Sequence, residues 1–144
     1  MDGDVAVNLE PIIAHWTHCY HVTAVMNLQS IRRFGILLPA AALFGLADRG
    51  DLLRRRRTDD VRLELEGQKV LVRNQIALDP DSINIGFTET IEDHLACLNA
   101  HVFFWPGTAS GPTHDGMRMF RQRAGVKSAL GRCLAAGLRE VSSG

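Results

Sequence analysis

His15, His18 and His21, with Cys19 among them, gather three imidazoles and a thiol in one short span. Such groups ligate zinc. Three-residue spacing suits a helix, however, whereas Tyr20-His-Val-Thr23 is β-prone, and no second cluster completes a tetrahedral site. The expectation is one structural histidine, two at the surface and no metal. Arg54-Arg-Arg-Arg57 is a run of cations that could hold the phosphates of a nucleic acid or of a pyrophosphate ligand. Asp51, Asp59 and Asp60 neutralise part of it, so a solvated loop is expected. Arg118, Arg121, Arg123, Lys127, Arg132 and Arg139 read as the solvated face of a C-terminal helix. Arg73-Asn-Gln75 follows the apolar Val70-Leu-Val72, and a guanidinium at a strand end can grip phosphate or carboxylate bidentately, with amides beside it to orient the ligand. Tyr20-His-Val-Thr23 would deliver His21 and Thr23 to the open face of a strand, and Asn27-Leu-Gln-Ser-Ile-Arg-Arg-Phe34 with Gly35 follows as a short helix. A ligand lying across that strand would be held by polar side chains while the helix braces it.

These groups need a frame, and the sequence sets one out. The chain has 144 residues, 46% of them apolar and 22% charged, which is ordinary for one globular domain. Sixteen Lys and Arg balance sixteen Asp and Glu, which argues against a bulk electrostatic grip on nucleic acid or anionic lipid. The longest apolar stretch, Ile36–Leu46, is interrupted by Pro39 and Gly45 and is too short to span a bilayer. The N-terminus is acidic where a secretory signal would be basic, and three cysteines without a CxxC do not make a disulfide framework. A cytoplasmic protein without membrane contact is expected.

His18–Thr23 reads as a strand. Leu28, Ile31 and Phe34 form the stripe of a two-turn helix that Gly35 ends, and Pro39 opens a second helix over Ala40–Leu46. Val61, Leu63 and Leu65 alternate with Arg62, Glu64 and Glu66 as in a half-buried strand, Gly67 permits a turn, and Val70–Val72 is the return. Asp79-Pro-Asp-Ser82 is turn chemistry. A helix is expected from Thr88 or Thr90 to about Asn99, with Thr90 and Asp93 as a capping box. His101–Trp105 is the strongest strand signal, ended by Pro106-Gly107; a loop and then a helix over Met117–Leu138 complete the reading. The fold class is α+β. Neither a GxGxxG fingerprint nor a Walker A loop is present.

Tyr20-His-Val-Thr23, Asn27-Leu-Gln-Ser-Ile31 with Gly35-Ile-Leu37, Leu71-Val-Arg-Asn-Gln75 and Leu98-Asn-Ala-His-Val-Phe-Phe-Trp-Pro106 together resemble an uncharacterised bacterial family similar to the DarT-like ADP-ribosyltransferases. The matches run from Tyr20 to about Pro106. The resemblance implies an ADP-ribosyltransferase-like fold, two small packed sheets enclosing a split cleft for NAD, over residues 1–116. Residues 117–144 would be a basic helical segment standing in for strands the family has and this chain lacks. By the same resemblance His21 hydrogen-bonds the ribose beside nicotinamide, Thr23 lines the pocket with Asn27 and Gln75, and Arg73 joins His21 as catalytic. Phe103, Phe104 and Trp105 would supply an apolar wall, Phe104 against the cofactor. The reaction would expel nicotinamide from NAD through an oxocarbenium-like transition state and pass the sugar to a nucleic-acid or protein acceptor, in a toxin or phage-defence role.

The sequence also departs from that pattern. Tyr20 is the only tyrosine, so the family's mid-fold stacking tyrosine has no counterpart. The only acid after Asp115 is Glu140, in a segment that does not read as the C-terminal strand where such enzymes carry their catalytic glutamate, and the role is not assigned to it. The alternative is therefore a catalytically inactive relative that binds a ligand or partner. An RNA 2'-phosphotransferase on the same fold ranks lower, because only Arg73 and Arg54–Arg57 are available to converge on a phosphate. A plain α+β domain whose similarities reflect packing is the remaining reading.

Overall fold

A computed structural model of the chain describes residue 8 and residues 10–75, 90–122, 128–134 and 137–143. It is mixed α+β, with short helices and two small antiparallel sheets. In chain order the elements are α1 (Glu10–His15), β1 (His18–Ala24), α2 (Leu28–Phe34), α3 (Ala40–Leu46), β2 (Val61–Leu65), β3 (Gln68–Val72) and α4 (Ile91–Asn99). They are followed by β4 (Trp105–Thr108), β5 (Gly111–Pro112), α5 (His114–Gln122), β6 (Ser128–Leu134) and β7 (Gly137–Ser143). No helix among the described residues is long and apolar enough to cross a membrane. The chain divides into two compact units, Met1–Thr23 with Phe104–Gly144, and Ala24–Phe103.

The first unit is built on a five-stranded sheet of order β5-β4-β1-β6-β7. Antiparallel β1 and β4 pair Tyr20 with Trp105, Cys19 with Pro106 and His18 with Gly107. Tyr20 is fully buried and its hydroxyl donates to the Thr108 carbonyl. Gly107 lies directly over that ring: a Cβ there would stand 2.8 Å from Tyr20 Cε2 and 2.3 Å from the Gly111 carbonyl oxygen. A Cβ on Gly116 of α5 would likewise stand 2.9 Å from Trp105.

Two expectations in this unit are corrected. The strand expected over His101–Trp105 begins only at Trp105 and runs through Pro106 and Gly107, which were expected to end it. Residues 101–104 lie outside the ladder, whose register begins at Trp105, and His101 is held by α4's last turn: its amide donates to the Leu98 carbonyl, and its ring Nδ1 lies 2.6 Å from the Cys97 carbonyl oxygen. The helix expected over Met117–Leu138 ends at Gln122, and β6 and β7 take its place as an antiparallel pair with a register shift at Leu130/Gly131. Gly131 and Gly137 weaken a helix there by about 1 kcal/mol each, and ladder pairing overrides the remaining weak propensity.

In the second unit the expected elements form. Gly35 ends α2 at φ 68° and Pro39 precedes α3. Glu66 and Gly67, both at positive φ, turn β2 into β3 with Val61 opposite Val72 and Leu65 opposite Gln68. Phe44 of α3 packs with Leu52, Leu63, Leu65, Val70 and Val72 as the core. Burying a ring such as Phe44 contributes about 1.5–3 kcal/mol. Leu71, on the other face of β3, is buried as well, so α2 and the turn before it cover that side. Thr90 and Asp93 complete the expected capping box of α4: Thr90 Oγ1 accepts the Asp93 amide at 3.1 Å and Asp93 Oδ2 accepts the Thr90 amide at 3.2 Å. The Asp79–Ser82 turn and Thr88 lie outside the described residues.

Candidate functional site

In the first unit, alternation along β1 puts Tyr20 into the interior and Cys19, His21 and Thr23 on the opposite, partly exposed face. Phe104, 42% exposed just before β4, sets its ring 5.6 Å from the His21 imidazole at an interplanar angle of 56°. An imidazole, a hydroxyl two residues on and an aromatic ring therefore share one stretch of surface. Imidazole and hydroxyl can hydrogen-bond sugar hydroxyls, and the ring offers a flat apolar contact. Glu140 falls on β7, opposite Gly131, in the same sheet. The same alternation turns His18 away from Cys19 and His21, and His15 belongs to α1, which is why the three-residue spacing does not bring these groups together.

The other sequence-derived site residues belong to the second unit, and their polar groups are occupied in holding it. The side chain of Asn27, only 8% exposed, grips the backbone of Leu71 twice: Nδ2 donates to its carbonyl at 2.8 Å and Oδ1 accepts its amide at 2.7 Å. That is the bonding of a neighbouring strand, supplied by one amide to the otherwise open side of β3. Ser30 secures the turn by donating to the Asn27 carbonyl at 2.9 Å. Gln75 Oε1 accepts the Arg57 amide at 3.0 Å, and the Gln75 amide donates to the Arg57 carbonyl at 2.8 Å. Arg73 is half-buried at the end of β3, and its carbonyl accepts Arg57 Nε at 2.9 Å.

Asn99, which carried no role in the sequence reading, and Arg57, expected as part of a solvated loop but half-buried, are the centre of this arrangement. Arg57 Nη1 donates to Asn99 Oδ1 at 2.7 Å while its guanidinium lies 5.5 Å from the Phe44 ring centroid. Asn99 Nδ2 reaches the Leu53 carbonyl at 2.8 Å, and Gln75 Nε2 approaches Asn99 Oδ1 at 3.4 Å. One residue of the arginine run thus closes the core over Phe44. The signal available in the sequence was a polar Asn99 in register with Leu95 on the buried side of an amphipathic helix.

The rest of the run has other partners. Arg54 pairs with Asp93, and Arg49 with Asp51 through bonds of 3.0 and 3.1 Å. The hydrogen bond from Arg54, together with the two from Thr90, holds the Asp93 carboxyl below its ordinary range. The hydrogen bond from Arg49 does the same for Asp51, helped by its charge and that of Arg55. Asp60 Oδ1 accepts the Asn74 amide at 2.8 Å. Among the described residues, no three His, Cys, Asp or Glu side chains converge as metal ligands.

Residues 17–135 match the model of a family of unknown function, DUF7002, and the chain belongs to that family. Comparisons with curated proteins and with solved structures each found no match.

Proposed function

We propose that this DUF7002 chain binds NAD along the His21–Thr23 face of β1 and acts as a DarT-like mono-ADP-ribosyltransferase on a nucleic-acid or protein acceptor. The observation that carries the reading is the pairing of His21 with Phe104 beside Thr23 on one face of the sheet's central strand. In this reading the imidazole and the Thr23 hydroxyl bind the nicotinamide ribose, and Phe104 lies against the nicotinamide ring. The bond from ribose C1' to the nicotinamide nitrogen breaks with its electron pair leaving on nicotinamide. The acceptor's nucleophile then bonds C1' and loses its proton.

A carboxylate must stabilise the cationic sugar in between. The Asn27 and Gln75 amides, bound to Leu71, Arg57 and Asn99, act in this reading by holding the fold.

Incubation of the purified chain with NAD labelled in nicotinamide, plus a mixed cell extract, tests the reading. Nicotinamide release that is lost in His21→Ala supports it; no release with the native chain overturns catalysis. One observation favours the inactive alternative: Tyr20, the only tyrosine, is buried with its hydroxyl on Thr108 and cannot stack on a ligand. NAD-dependent thermal stabilisation that His21→Ala abolishes, without nicotinamide release, would assign the same face to a binding module.

A further inference from the structure

We infer that the arginine loop before β2 holds a separate site for a phosphate or diphosphate group, gripped by Arg55 and Arg56. A cavity of about 180 Å³ opens there, with Leu52 and Val61 among its apolar lining and Arg55, Arg56 and Thr58 among its polar lining. That is below the roughly 300 Å³ at which pockets for drug-sized ligands begin, so it suits an anion rather than a whole dinucleotide.

The charge accounting singles out the same two residues. Arg49 holds Asp51, Arg54 holds Asp93, and Arg57 is directed to Phe44, Arg73 and Asn99. Arg55 makes no hydrogen bond or ion pair among the described residues, and Arg56 makes one long bond, Nε to the Gln75 carbonyl at 3.4 Å. Asp59 and Asp60 also line the hollow: Asp60 accepts the Asn74 amide and Asp59 accepts the Thr58 hydroxyl at 3.4 Å. Two guanidinium groups that no carboxylate contacts within ion-pair distance among the described residues thus border one small hollow, the Arg55 charge also reaching Asp51. Planar forks of this kind match an oxyanion with several acceptor oxygens.

Calorimetric titration at fixed ionic strength with inorganic pyrophosphate and, separately, ADP tests the site. Saturable binding is expected, weakened about tenfold or more in the double variant Arg55→Gln/Arg56→Gln, which removes about 1.4 kcal/mol or more of binding. Arg62→Gln, an exposed arginine on β2 outside the cavity, should bind as the native chain does. Arg55→Gln alone removes no hydrogen bond and guards against a folding artefact; it should weaken binding several-fold. Equal affinity for the two probes assigns the free anion, and tighter ADP assigns a nucleotide's diphosphate. Absence of saturable binding by both probes, or binding unchanged in the double variant or weakened as much by Arg62→Gln, would overturn the site.

Discussion

Arg57→Ala is the substitution expected to damage the second unit most among the four consecutive arginines. It deletes two hydrogen bonds from a charged donor, to Arg73 at 2.9 Å and Asn99 at 2.7 Å, each worth about 1.5–3 kcal/mol. It also removes a guanidinium–ring contact with Phe44 worth about 0.5–2 kcal/mol. These terms share one side chain and do not add, and Asn99 Oδ1 retains a long bond from Gln75 Nε2. The expected loss is about 2–4 kcal/mol, a large part of the 5–15 kcal/mol that holds a domain. For a chain of this size it lowers the melting temperature by roughly 10 °C. Trp16 and Trp105 both lie in the other unit, so urea unfolding should be followed by far-UV circular dichroism, with amide exchange at Val70–Val72 as the local probe. Arg57→Lys keeps the charge without the fork and should recover less than half the loss. Native stability in Arg57→Lys, or an equal loss in Arg55→Ala, would refute the assignment of Arg57 to the core.

Three further outcomes follow from the same geometry. Gly107→Ala should cost about 3 kcal/mol or more, because its Cβ meets backbone that cannot yield, whereas helical Gly45→Ala, open to solvent, should gain about 0.5–1 kcal/mol; thermal melts of the two should shift in opposite directions. Asn27→Ala strands the Leu71 amide and carbonyl and should cost about 2–3 kcal/mol in urea unfolding. Asp93 is depressed in the folded state by Arg54 and Thr90, so its contribution is complete above the ordinary carboxylate value of 3.8 and is lost as pH falls through the lower folded value. The urea midpoint measured from roughly pH 5 down to pH 2 should therefore fall less steeply in Asp93→Asn than in the native chain.

What the sequence discloses is what neighbours two to four positions apart encode. The Gly35 cap, the Thr90–Asp93 box and the Val61, Leu63, Leu65 alternation are local rules, and each appears where its pattern lies. The bonds of Asn27 to Leu71 and of Arg57 to Asn99 join residues 44 and 42 positions apart, and no periodicity points from one end to the other. The C-terminal segment misled for a related reason. A strand's identity there depends on its partner, and β6 and β7 are defined by pairing with each other rather than by clean alternation. His101–Phe104 had β-prone composition but no partner in the ladder, since the β1–β4 register starts at Tyr20 and Trp105.

This division of labour changes what the motif resemblance can mean for chemistry. Asn27 and Ser30 in one motif and Gln75 in another are polar residues of the kind that mark a ligand site, yet each closes backbone groups that burial would otherwise leave unsatisfied. An unsatisfied buried amide or carbonyl costs about 1–3 kcal/mol, which alone is enough to keep such residues in place. The resemblance carried by these positions is therefore accounted for by folding. The proposed function then rests on His21 and Thr23 on the partly exposed face of β1 and on Phe104 just before β4. The Phe104 ring is 42% exposed and adds little to a core, yet it stands 5.6 Å from the His21 imidazole, a flat apolar surface beside a hydrogen-bonding ring.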